Sequence, residues 1–168
     1  MSKDITTFKG LFARIEKEIP SILQRIGKDV AGVLRFYVQQ NWYNYMDSKK
    51  SIGGYERTMQ VLESITCSKV EKIKNGYKVN IFFDIDKIIP QKQSGLFNAH
   101  MSVDGSDMWR GHSVPELLIY WLNHGQNSPI YSFPGVGFWE DTIEFMEDDK
   151  YHINMMKEEL KSKGFVIE

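Results

Sequence analysis

The fold is decided by residues 64–85, which read SITCSKVEKIKNGYKVNIFFDI. In the second half of this stretch, apolar side chains recur at every other position, which is the period of a half-buried β-strand. The apolar face consists of Tyr77, Val79, Ile81, Phe83 and Ile85. The other face consists of Lys78, Asn80, Asp84 and one apolar exception, Phe82. This pattern predicts a strand with one face on the core.

The two halves of the stretch are joined by Asn75-Gly76, a dipeptide that supplies the positive φ angles of a two-residue type I′ turn. In the first half Ile65 and Cys67 share a face, whereas Val70 falls on the opposite parity, which a β-bulge would accommodate. We therefore predict an antiparallel hairpin with a bulge near Val70. Cys67 is the one cysteine of the chain, and we expect it to be a small buried hydrophobe.

Length and composition predict one folded domain over residues 1–168. Apolar residues make up 42% of the chain and aromatic residues 13%, which is typical of a globular protein and argues against disorder. No apolar run is long enough for a transmembrane helix, and the N-terminus lacks the apolar core of a signal peptide. We expect a soluble protein that is made in a cytoplasm and has no membrane partner.

Residues 1–46 are predicted to be helical, because their apolar side chains recur at helical spacing. Pro20 interrupts this pattern, since proline lacks the N–H group that continues a helix. We expect a short helix ending near Glu18 and a longer helix over residues 19–46. A single kinked helix is the alternative, because proline is tolerated in a first turn.

The remaining segments complete an α+β fold. An irregular arm and the hairpin span residues 55–85, and a long irregular loop spans residues 86–113. Residues 114–168 contain a largely buried helix that ends at Gly125, a Gly/Pro-rich loop, and a final helix from about residue 139 to residue 163, capped by Gly164. We predict N-terminal helices and a C-terminal helix packed on a small twisted antiparallel sheet.

The net charge of −1 hides an uneven distribution. Residues 1–50 carry 9 basic and 5 acidic side chains, residues 51–100 carry 7 and 5, and residues 101–168 carry 5 and 12. The basic excess is mild, spread along a helix and without an arginine cluster, so it does not indicate sequence-specific nucleic-acid binding. A basic part and an acidic part do suit subunits that meet head to tail.

Motifs for catalysis are not found, and we expect no enzyme activity, catalytic residue, cofactor or metal. No nucleotide-binding loop occurs, and Gly135-Val136-Gly137 is followed by Phe and Trp, which are too bulky for close approach to a phosphate. The acids from Glu140 onwards are interpreted as favouring the dipole of the helix start and its solvation. The nearest candidate for a metal site is a set in the long loop: His100, Asp104, Asp107 and His112. We favour a polar exposed loop for these four side chains.

Several short stretches, taken in order, carry a resemblance to a known family. They are Tyr55-Glu56-Arg57-Thr58 with Leu62-Glu63-Ser64-Ile65, the hairpin to Ile85, Leu117 to Gly125, Pro134-Gly135-Val136-Gly137-Phe138-Trp139, and Leu160-Lys161-Ser162-Lys163-Gly164-Phe165. In this order they resemble the tail-completion, or head–tail joining (minor capsid), proteins of long-tailed bacteriophages. The chain departs from that family in lacking a Pro-x-x-Thr-Gly segment before the first strand, and in the length of its loop at residues 86–113.

The resemblance implies a structural virion protein of the neck, made in the cytoplasm of a bacterial host. Copies would form a ring, with a hexamer favoured, between the head connector or stopper and the tail tube. Ring contacts are heterologous, so a basic face could meet an acidic face around the circle. The residues expected to contact partners are Tyr55 and Arg57 in the arm, and the aromatic anchors Phe97, Trp109, Phe138 and Trp139.

Two functions of other classes stay open. The first is a small metal-dependent hydrolase or nuclease that uses the loop from His100 to His112; stabilisation by divalent ions would favour it. The second is a monomeric binding module whose basic N-terminal helix contacts nucleic acid, for which salt-dependent binding to duplex DNA would be the sign.

Overall fold

A computed structural model describes residues 8–44, 59–88, 114–127, 132–148 and 150–167, and these residues form an α+β fold in which helices predominate. The predicted fold class is confirmed. Within this part of the chain, no helix is both long enough and apolar enough to cross a membrane.

The described residues form helices and short strands. The helices are α1 (Phe8–Val38), α2 (Gln60–Ser64), α3 (Val114–His124), α4 (Phe138–Asp148) and α5 (Tyr151–Ser162), with a π-helical turn at Gln39–Asn44 and a 3₁₀ turn at Ile85–Lys87. The strands are β1 (Ile65–Cys67), β2 (Glu71–Ile73), β3 (Gly76–Lys78), β4 (Ile81–Phe83), β5 (Gln126–Asn127) and β6 (Ser132–Phe133). They pair as β1 with β4, β2 with β3, and β5 with β6.

The chain divides into two compact units, each built from discontinuous ranges. The first comprises residues 1–32, 67–82 and 144–168, and the second comprises residues 33–66 and 83–143. The prediction of one domain over the whole chain stays a prediction.

In the first unit, helix α1 passes through Pro20 without ending, so the predicted break near Glu18 is wrong and the single-helix alternative is correct in outline. Contacts with α5 lie on both sides of the proline. Arg14 donates to the carbonyl of Lys163 at 3.0 Å, and Arg25 forms an ion pair with Glu159 at 2.7 Å. These contacts hold the helix on either side of the missing hydrogen bond. The α-helix ends at Val38 and continues as the π-helical turn.

The C-terminal end of α5 is closed as predicted, by Gly164 in a left-handed conformation with φ +81°. Its N–H donates to the carbonyl of Lys161 at 2.8 Å, and the N–H of Phe165 donates to the carbonyl of Leu160 at 3.1 Å. This pair of bonds is a Schellman motif, which satisfies carbonyls that a helix end leaves unpaired. Phe165 is buried, and the Arg14 guanidinium lies 4.8 Å from its ring centroid. Phe165 is therefore docked, whereas the next residue, Val166, is 96% exposed.

The hairpin is confirmed in its pairing and its bulge. The N–H of Ser68 donates to the carbonyl of Asn80, whereas Glu71 is paired with Lys78. Between these two pairs the first arm advances three residues and the second arm only two, so the first arm carries one extra residue next to Val70. Gln24 of α1 holds this segment, because its amide accepts from the Val70 N–H and donates to the Ser68 carbonyl.

Side-chain exposure along residues 77–83 alternates as predicted, and Phe82 is 41% exposed. The position of the turn is wrong by one residue. Ile73 pairs with Gly76, so the turn residues are Lys74 and Asn75; neither has a positive φ, and Gly76 takes φ +149° instead. Cys67 is half-buried rather than buried, and its sulfur accepts a hydrogen bond from Gln24 at 3.3 Å.

The core of the second unit lies between the end of α1, the β1–β4 strand pair and the start of α4. The side chains of this core are Leu34, Val38, Tyr43, Val61, Ile65, Phe83, Ile88, Leu122 and Phe138. Arg35 donates to the carbonyl of Ile65, and the N–H of Asp84 donates to the carbonyl of Ser64 at 2.8 Å. Helix α3 ends before Gly125 as predicted, but it is less buried than expected, since Tyr120 is 58% exposed.

Three further boundaries differ from the predictions. Residues 86–88, which were expected to belong to the long loop, are ordered differently, because residues 85–87 form a 3₁₀ turn and Ile88 is 6% exposed; the rest of the predicted loop, residues 89–113, lies outside the described residues. In the Gly/Pro-rich loop, Gln126 and Asn127 pair with Phe133 and Ser132. The single final helix is two helices, α4 and α5, separated around Lys150, which has φ +48°. The last turn of α4 contains Glu147 and Asp148 and no basic residue, a charge pattern that is unfavourable at the C-terminal end of a helix dipole, so electrostatics do not explain why α4 ends there.

Candidate functional site

The residues predicted to contact partners are only partly described. Tyr55, Arg57, Phe97 and Trp109 lie outside the described residues, as do the four side chains of the alternative metal site, His100, Asp104, Asp107 and His112. Phe138 and Trp139 are described. They follow the loop of residues 134–137, so this loop and the helix ends around it form the candidate site.

The loop caps the C-terminal end of α3 with its backbone. The N–H of Val136 donates to the carbonyl of Leu122 at 3.0 Å, and the N–H of Gly137 donates to the carbonyl of Asn123 at 3.0 Å. Gly135 has φ +77°, and a Cβ atom there would lie 2.5 Å from the backbone nitrogen of Gly125. The two chain segments can therefore approach this closely only because position 135 has no side chain.

Asn123 links the end of α3 to the start of α4. It is 4% exposed, its Oδ1 accepts from the Trp139 N–H at 2.9 Å, and its Nδ2 donates to Glu140 Oε2 at 2.7 Å. The Trp139 N–H is one of the donors that a helix start leaves without a partner inside the helix. Asn123 thus does from another helix what a capping residue ordinarily does locally.

A second asparagine joins the same loop from the π-helical turn. Asn41 Nδ2 donates to the carbonyl of Val136 at 3.0 Å and to the Asp141 carboxylate. Glu140 and Asp141 stand in the first turn of α4, which is the position interpreted from the sequence as favouring the helix dipole. Both carboxylates are also held by asparagine amides, so their oxygens position the helix.

Phe138 and Trp139 pack on one aromatic partner, Phe83. The ring centroid of Phe83 lies 5.7 Å from that of Phe138 and 5.8 Å from that of Trp139. Phe138 is 0% exposed, so in this conformation its ring contacts only its own chain; Trp139 is half-buried. Whether either ring contacts a partner stays a prediction.

His124 and Glu140 approach each other at the site, with 3.6 Å between His124 Nδ1 and Glu140 Oε1. The His124 ring also contacts Tyr120, at 4.6 Å between centroids. Among the described residues, no three His, Cys, Asp or Glu side chains are placed to hold a metal ion. The contacts at this site fix the angle between α3 and α4 through hydrogen bonds of backbone, amide and carboxylate groups.

Comparison with known proteins does not identify a family. No family model matches the chain, and neither the curated proteins nor the solved structures contain a significant match. Functional arguments therefore depend on the chain's own residues.

Asn123 and Asn41 were not predicted from the sequence. Asn123 lies two residues before the helix-ending Gly125, a local signal of a helix end only. Its partners lie 16 and 17 residues further on, and those of Asn41 lie 95 and 100 residues away. Side-chain contacts at such separations have no signature in one sequence.

We expect Asn123→Ala to destabilise the protein by about 2 kcal/mol, because the partly buried Trp139 N–H and the Glu140 carboxylate each lose a hydrogen-bond partner. Urea unfolding at neutral pH measures this loss. Asn80→Ala, at an exposed position, is the control and should change stability by less than about 0.5 kcal/mol. Equal effects of the two substitutions would contradict the linking role of Asn123.

Proposed function

We propose that this chain is a structural virion protein of a tailed phage, a tail-completion or neck connector protein that assembles as a ring between the head connector and the tail tube. One observation carries the proposal beyond the resemblance. The stretch Pro134–Trp139, which is part of that resemblance, is built into a joint in which backbone and amide groups fix α3 against α4. Such a joint suits a protein that works by holding its shape.

Large apolar side chains on the surface support a role in assembly. The exposed ones include Phe8 at 82%, Phe12 at 66%, Phe36 at 56%, Tyr120 at 58% and Ile143 at 53%. Scattered exposed apolar residues are normal, but aromatic side chains contribute most to the energetics of protein interfaces. We propose that copies of the chain contact each other and the connector, stopper and tail-tube proteins. Heterologous contacts that close a circle generate a ring, and we favour six copies.

Immunogold electron microscopy tests the location. Tailed particles are induced from the strain that encodes the chain, purified and labelled with antibodies against it. We expect gold at the junction of head and tail, in intact particles or after mild opening of the neck. Pre-immune serum on the same particles is the control. Label that is absent from all particles, while denatured particles also lack the chain in immunoblots, would contradict a virion role.

A further inference from the structure

The hairpin of the first unit presents a basic surface. Residues 69–78 contain four lysines, Lys69, Lys72, Lys74 and Lys78, and one acid, Glu71; all five side chains are exposed. We call residues 69–78 the basic hairpin. Lys69 and Lys74 form no ion pair with another described residue, so their charges face solvent.

The two faces of the basic hairpin differ. Lys72 and Tyr77 stand opposite each other, and Lys72 forms an ion pair with Glu16 of α1 at 3.2 Å. The hydrogen bond with Glu16 and the nearby Tyr77 raise the pKa of Lys72 above its ordinary value. Glu71, Ile73 and Lys78 share the other face, because opposite residues and next-but-one residues point to the same side of a sheet. Ile73 is 45% exposed there.

Helix α4 presents the complementary surface. Its exposed side chains recur at helical spacing and define what we call the acidic face: Glu140, Ile143, Glu144, Glu147 and Asp148. The helix contains no lysine, arginine or histidine. Ile143 is 53% exposed among these four carboxylates. Glu144, Glu147 and Asp148 form no ion pair with another described residue.

We infer that the basic hairpin of one copy docks on the acidic face of α4 in a second copy. Residues 69–78 carry four lysines and one acid, α4 carries acids and no basic residue, and each surface has one exposed isoleucine, so the net charges match and Ile73 and Ile143 supply an apolar centre. On the face that carries Ile73, Lys78 is paired with Glu71 at 3.9 Å, so the unpaired charges that the hairpin offers to the acidic face are those of Lys69 and Lys74. The acidic face extends about 12 Å along the helix, and the arm of the hairpin from Lys69 to Ile73 spans about 13 Å, so the two surfaces have similar lengths. The contact joins different surfaces of identical chains, which is the heterologous type that rings require.

A second copy fits the basic hairpin better than nucleic acid does. The face that carries Ile73 presents an exposed alkyl side chain beside the Glu71–Lys78 ion pair, and an alkyl side chain packs on another apolar side chain rather than on a phosphate backbone. Residues 69–78 also lack arginine, the side chain that binds phosphate in bidentate fashion. This inference deepens the proposed function and depends on it only for the closing of the ring.

Charge reversal with complementation tests the docking. The hairpin variant carries Lys69→Glu and Lys74→Glu, and the helix variant carries Glu144→Lys and Glu147→Lys. Light scattering and sedimentation velocity measure self-association of the wild type in about 50 mM and about 500 mM salt, where we expect at least about tenfold weaker association at high salt. Each variant alone should associate about 100-fold more weakly than the wild type. An equimolar mixture should regain the wild-type mass, because the reversed hairpin then meets the reversed helix and the natural surfaces meet each other.

The control carries Lys17→Glu and Lys28→Glu on the exposed side of α1, which changes the net charge as much as the hairpin variant does. It should self-associate as the wild type does. The docking is overturned if either surface variant self-associates as the wild type does, or if the equimolar mixture does not regain the wild-type mass. It is overturned as well if the control weakens self-association as much as the surface variants do, or if the wild type is monomeric at about 1 mM. It is also overturned if the hairpin variant loses binding to a short DNA duplex while its self-association is unchanged. Open chains whose mass grows without limit would support the docking and contradict a closed ring. Absence from the particles would contradict the virion role alone.

Discussion

Replacing Gly135 with alanine is expected to lower the free energy of unfolding by about 3 kcal/mol or more. A residue with a Cβ at φ +77° is strained by about 1–2 kcal/mol. The new Cβ would also lie 2.5 Å from Gly125 N and from the carbonyl carbon of His124. Both are backbone atoms, so the loop must move away from the end of α3 and weaken the hydrogen bonds of Val136 and Gly137. Thermal unfolding should show a decrease of about 6–12 °C in Tm for a chain of this length.

Gly137→Ala is the matched control for Gly135→Ala. Gly137 also has a positive φ, +60°, but the closest atom to its added Cβ is Glu140 Oε2 at 3.9 Å, which is ordinary contact. Gly137→Ala should therefore lower the free energy of unfolding only by the backbone strain of a positive φ, about 1–2 kcal/mol. If the two substitutions cost the same, the close approach of the loop to α3 is not what position 135 contributes.

Phe138→Ala is expected to cost about 3–5 kcal/mol, the usual range for a fully buried aromatic side chain that leaves a cavity. Phe138 is 0% exposed and packs on Phe83, so surrounding side chains can fill the space only in part. Denaturant unfolding of the purified variant measures the loss. Phe12→Ala is the control, because Phe12 is 66% exposed and should cost less than about 1 kcal/mol.

Phe138→Ala and its control Phe12→Ala also distinguish a core role of Phe138 from a role as an anchor for a partner. If Phe138 were a partner anchor, its replacement would weaken self-association and leave the stability of the isolated chain nearly unchanged. A core role gives the opposite result, with reduced stability at protein concentrations where the chain is not associated. Phe138→Leu should recover part of the lost stability, since it restores apolar volume without the aromatic contact with Phe83.

Local patterns in the sequence were sufficient for several elements. The alternation through residues 77–83, the bulge beside Val70, the end of α3 at Gly125 and the cap at Gly164 were all predicted and are confirmed. Each depends on neighbours within a few residues, because strand period, helix period and glycine conformation are local properties. The α+β class follows from these elements together.

Other boundaries were decided by contacts between distant parts of the chain. Pro20 should end a helix on local grounds, yet Arg14 and Arg25 bind α5 on both sides of it and α1 continues. The final helix was predicted as continuous, but it is interrupted at Lys150, a non-glycine residue with φ +48°. A lysine in the sequence does not indicate a positive φ, because residues other than glycine rarely adopt that backbone conformation.

The sequence by itself determined the uneven charge and those elements that depend on near neighbours, and the resemblance to phage neck proteins that it suggested stays a prediction. Only the tertiary structure decided that Phe138 is a core residue, and that Asn41 and Asn123 hold the loop between α3 and α4. It also decided which charged side chains form the basic hairpin and the acidic face. The physical reason is that periodicity depends on the spacing of near neighbours, whereas burial and side-chain hydrogen bonds depend on which distant segments pack together.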